Sequence, residues 1–144
     1  MGTLIAETPK TSYQFNNSNN VLTMTYKDNS ACFTLVDMME SLKIYFAILT
    51  TYTRQNIMIS MCWDLRNIPM DKVTDELVNY TKRTFINSWQ LINTATYSSS
   101  VIIENQRFKV ILNKIMLVIQ PIRPIKIFSN IVDSQTFINK HNKT

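Results

Sequence analysis

The hydrophobic and polar positions of this chain change period several times between residue 21 and residue 138, and each change marks a predicted element. Residues 21–27 alternate Val, Thr and Thr with Leu, Met and Tyr, the two-residue period of a half-buried strand. Asp28 and Asn29 are a turn pair and residues 31–35 a second β-rich run, so this stretch predicts a hairpin. Thr34 with Asp37 has the spacing of a capping box and predicts a helix start. Met38, Leu42, Tyr45, Leu49 and Tyr52 then form one helical stripe. The near-continuous apolar run 57–65 predicts a strand covered on both faces.

Further on, Asn67, Ile68, Pro69 and Met70 predict a loop, and Asp71 can cap the next helix. Val73, Leu77, Tyr80, Thr84, Ser88 and Leu91 mark that long helix's inward face. Residues 94–99 read as a polar linker and 101–103 as a short buried strand. A third helix from Asn105 turns Phe108, Leu112, Ile115 and Ile119 inward, and Pro121 stops it by breaking the hydrogen-bond ladder. Residues 124–128 predict a last strand, and Asn130 with Asp133 caps a closing helix through Phe137 and Ile138.

Strands alternating with helices imply right-handed crossovers and parallel pairing. The expected fold is therefore α/β: a single mixed, mostly parallel sheet of about five strands with an N-terminal hairpin and four helices. Residues 1–20 are expected as a polar N-terminal arm that packs weakly, with Leu4, Ile5, Tyr13 and Phe15 able to dock parts of it. Residues 21–140 are expected as the α/β domain and 141–144 as a polar tail.

Composition narrows the function classes. A single glycine in 144 residues argues against phosphate-cradling glycine loops. The net charge of +5 would suit nucleic acid if gathered on one face, but the basic residues are scattered from Lys10 to Lys143, as on any solvated surface. Cys32 and Cys62 both lie in apolar stretches; buried reduced thiols and a disulfide are the alternatives, and the first fits strand positions better. No charged-then-apolar leader opens the chain, and the apolar run 110–119 is broken by Asn113 and Lys114 and too short to cross a bilayer. The expectation is a cytoplasmic protein in a reducing compartment.

Catalytic chemistry has few candidates. His141, the sole histidine, lies in a polar stretch without rigid support, and Cys62 has no base to pair with. The cysteine and histidine spacing fits no zinc site, and Asp75 and Glu76 are adjacent on a helix and point apart. No catalytic residue, metal or cofactor is expected. Asp64, at the end of a buried strand, stands where ligands meet α/β sheets, or else caps the following turn.

The segment 58–71, which reads Met-Ile-Ser-Met-Cys-Trp-Asp-Leu-Arg-Asn-Ile-Pro-Met-Asp, resembles the central strand and loop of STAS-like domains, the fold of anti-sigma-factor antagonists. The arrangement of residues 101–138, with its proline-containing turn and a short strand ending in Phe128-Ser129, is similar to the divergent STAS- and SEC14-like branch. The resemblance spans about residues 21–140 and implies a non-enzymatic protein–protein interaction module. Signalling members carry Asp-Ser after the loop, with the serine phosphorylated; here Asp71 is followed by Lys72, which cannot carry a phosphate ester.

Two surfaces follow as candidates. The loop residues Asn67, Ile68, Met70, Asp71 and Lys72 form the expected partner contact, although Ile68 and Met70 serve equally well as plugs between sheet and helix. Ile111, Met116, Leu117 and Val118 give the third helix a second apolar face for a homodimer seam or a ligand groove. The expected partner is thus a protein of unspecified identity. A binder or carrier of a small apolar ligand, as SEC14-type relatives are for lipids, is the alternative, and a basic nucleic-acid accessory role comes third.

Overall fold

The computed structural model describes residues 2–27, 33–69, 72–119 and 123–142, and of residues 115 and 117–119 the backbone alone. The chain runs β1 (Thr3–Glu7), β2 (Thr11–Asn16), β3 (Val21–Tyr26), α1 (Leu35–Arg54), β4 (Ile59–Asp64), α2 (Asp75–Asn87), α3 (Trp89–Ala95), β5 (Thr96–Ile102), α4 (Gln106–Ile119), β6 (Ile125–Phe128) and α5 (Ile131–His141). All six strands form one sheet in sequential order. β1, β2 and β3 pair antiparallel, and β3 through β6 pair parallel.

The α/β class and the mixed sheet are as expected, but the sheet has six strands and the described residues hold five helices. The extra strands come from the segment expected as a loose arm. Tyr13 and Phe15 alternate with Ser12 and Gln14, so β2 buries its aromatics in the core while Ser12 and Gln14 face outward. The asparagine run after it is a turn. Ser18 donates its backbone N–H (3.0 Å) and hydroxyl (2.7 Å) to Asn16 Oδ1, and Asn20 takes a left-handed φ of 56°. The N-terminal antiparallel unit is therefore the three-strand meander β1–β2–β3. Of the hairpin expected at 21–35, residues 28–32, with the turn and the start of the second strand, lie outside the described residues; Leu35 opens α1, and β3 pairs with β2 on one side and β4 on the other.

The additional helix comes from a break. The helix expected to run to Leu91 ends at Ser88 and restarts as α3. Its start also differs, because Thr74 accepts from Leu77 N as the N-cap, while Asp71 lies outside the described residues. The linker expected at 94–99 instead contributes most of β5, where Thr96, Ser98, Ser99 and Ser100 are all buried.

Two-residue alternation divides the sheet into two faces. Tyr13, Leu22, Met24, Met61 and Trp63 share a cluster with Leu42, Tyr45 and Leu49 of α1 and Ile92 of α3, so the crossover helices cover that face. Burying each such side chain contributes about 1.5–3 kcal/mol. Cys62 and Ile102, on the opposite face, pack against Ile138 of α5. Serines let α5 approach closely: Ser100 Oγ lies 2.6 Å from Ser134 Oγ, and both residues are fully buried.

Candidate functional site

Four crossover segments on one face leave a gap where they meet. A cavity of about 140 Å³ opens between the floor formed by Met24, Trp63, Ser99 and Val101 and the surrounding helices. Leu42 of α1, Phe85 of α2 and Trp89 of α3 wall it, and Phe108, Leu112 and Met116 of α4 roof it. The i, i+4, i+8 spacing of the last three puts them on one helix face. The α4 helix approaches other elements at few backbone positions, and none of its described side chains is fully buried, so the roof is the loosest wall.

The lining is almost wholly carbon because its polar residues turn their polar atoms elsewhere. Ser41 Oγ lies 2.8 Å from the Tyr13 phenol, and Thr81 Oγ1 donates to Leu77 O at 2.9 Å. Ser99 is the one lining hydroxyl without a hydrogen-bond partner among the described residues, and Lys82 is the one charged lining residue. An apolar cavity of about this size holds no stable water and accepts a single aromatic ring.

The expected site residues fall in different places. Ile68 is 8% exposed and packs with Tyr26, Phe33 and Leu77, so it plugs the space between sheet and helix. Asn67 and Lys72 are exposed, while Met70 and Asp71 lie outside the described residues. Met116 lines the cavity; Ile111 is half-buried and not in the lining; the side chains of Leu117 and Val118 lie outside the described ones.

Asp64 caps its turn, accepting from Arg66 N at 3.3 Å and pairing with Arg66 Nη2 at 2.7 Å. Cys62 is buried, its thiol pushed above the usual range by desolvation, and its Sγ lies 3.8 Å from Ser134 Oγ. His141 closes the last turn of α5 with its ring 4.6 Å from that of Phe137, so it is not part of a free tail. Among the described residues no three His, Cys, Asp or Glu side chains gather as a metal site, and no helix is long and apolar enough to cross a membrane.

Among the cavity residues that sequence reasoning missed are Trp63, Phe85, Trp89 and Ser99. Both tryptophans of the chain line the cavity. Trp63 within the apolar run 57–65 was the available signal, but nothing local joins it to Trp89 of α3. Comparison of the chain with protein-family models, with curated proteins and with solved structures finds no match.

Proposed function

We propose that this domain is a non-catalytic binder of a small apolar molecule, about the size of one aromatic ring or a short alkyl chain, held between the sheet and α4. The observation that carries the reading is the carbon-lined cavity of about 140 Å³, whose serine and threonine hydroxyls at Ser41 and Thr81 are already engaged. A ligand entering it gives up no hydrogen bonds to the wall and buries apolar surface. The resemblance of segment 58–71 to STAS-like domains, whose SEC14-type relatives bind lipids, supports the same class on a smaller scale. A whole lipid tail exceeds the space; a ring or a short chain fits it.

Trp63 and Trp89 make the test specific, since both line the cavity. Benzene, toluene and short-chain alcohols are titrated while tryptophan emission and the thermal midpoint are followed. A saturable emission change with a midpoint that rises with ligand concentration is the expected result. Val101→Phe, which fills the floor, should keep the fold and lose the response. If no member of the series gives saturable binding, or if Val101→Phe binds as tightly as the parent, the reading is wrong.

A further inference from the structure

We infer that the outer edge of β6, together with the groove beside α5, binds an acidic, extended segment of a partner protein by strand addition. Among the described residues β6 ends the sheet and pairs only with β5. The Pro124 carbonyl accepts from Ser99 N, and the Phe128 carbonyl from Ile103 N, each at 2.9 Å. The alternation of a parallel strand then turns Lys126 toward β5 as well and leaves the N–H and C=O groups of Ile125 and Ile127 pointing outward. No described residue takes up those groups.

An exposed edge needs protection or a partner. The opposite edge, β1, is interrupted by a bulge between Leu4 and Ala6, a device that spoils pairing. The register of β6 against β5 is continuous from Ile125 to Phe128. Arg123 Nε fastens the approach to β6 by donating to Asn93 O at 3.0 Å, so the edge is held in place.

Beside this edge lies an open groove of about 480 Å³ between β6 and α5. Its wall is an aromatic row: Phe128 and Phe137 have ring centroids 5.4 Å apart, and Phe137 and His141 4.6 Å. Lys126 and Lys140 line the same groove, are exposed, and have no carboxylate partner among the described residues. The one acid there, Asp133, accepts from Asn130 Nδ2 at 3.0 Å at the start of α5. Backbone groups give such an edge its affinity, and side-chain pockets beside it give specificity. Two lysines over an aromatic row select a peptide that alternates acidic with apolar side chains.

The probe is a fluorescein-labelled peptide of alternating glutamate and valine, measured by anisotropy on the full chain. Two controls accompany it: the lysine–valine counterpart, and the glutamate peptide N-methylated at alternate residues. The acidic peptide should bind, and N-methylation on its bonding edge should weaken it about tenfold or more. The double variant Lys126→Glu with Lys140→Glu changes only exposed side chains; it should lose the acidic peptide and gain the basic one. Equal binding of both peptides, binding by neither, or binding indifferent to N-methylation overturns the inference.

Discussion

Tyr45 is fully buried beneath Trp63 and Phe85, yet its hydroxyl has no hydrogen-bond partner among the described residues. Tyr13, buried in the same cluster, satisfies its own hydroxyl on Ser41. An unmade hydrogen bond on a buried donor costs about 1–3 kcal/mol, so Tyr45→Phe should stabilise the fold by about 1 kcal/mol, seen as a higher urea midpoint at unchanged slope. Tyr13→Phe should destabilise it by a similar amount, because it removes the buried bonds from the phenol to Ser41 O and Ser41 Oγ, each 2.8 Å. Burial also lifts both phenols well above the ordinary tyrosine value. The folded chain then keeps protons that the unfolded chain releases near pH 10, so stability is level below that pH and falls as pH rises through it. Tyr45→Phe should flatten this alkaline loss; an unchanged slope would place its source elsewhere.

Among the elements, those with chemical signals at their ends were legible. Thr34 and Asp37 form the capping box read from their spacing, with Asp37 N donating to Thr34 Oγ1 at 3.3 Å and Thr34 N to Asp37 Oδ2 at 2.8 Å. Asn130 caps α5 through Asp133 N at 2.9 Å as its spacing implied. Thr34→Ala should therefore cost about 1 kcal/mol in chemical denaturation, and Thr34→Ser much less. The run that became β4 was legible because both of its faces are covered. Of β5 only the end was legible, as the buried strand read at 101–103; the rest reverses the usual sign, since Ser98 and Ser100 are polar in the sequence but buried, with hydroxyls answered by Ser60 and Ser134 from elsewhere in the chain. The break at Ser88 also had no signal, since neither glycine nor proline marks it and its backbone carries no side-chain cap.

At the scale of the whole molecule, the N-terminal strands belong to the core. Thr11, Tyr13 and Phe15, which sequence reading placed in a weakly packing arm with Tyr13 and Phe15 able to dock, are buried in the folded domain. A chain starting at Val21 would leave the aromatics of α1 without that cover; at about 1.5–3 kcal/mol for each large side chain lost, the deficit is comparable with the whole stability of a domain. Such a truncation should lack a cooperative thermal transition. If it instead melts sharply near the parent midpoint, the arm reading was right after all. The cavity is legible only at this scale, because its lining comes from separate elements between Met24 and Ile125, and no local pattern states that they meet.

The serine seam under α5 also bears on how the chain is made. All six strands precede α5, whose Ser134 closes over Ser100 and whose Ile138 closes over Ile102. A ribosome adding about 5–20 residues per second leaves that side of the nascent sheet uncovered for seconds after β5 has emerged. Ser60, Ser98 and Ser100 give the waiting surface hydroxyls that water can serve, where a wall of leucine would recruit neighbouring chains. The side built first is greasy and is covered by helices as it forms. The side that must wait stays wet until the final helix docks.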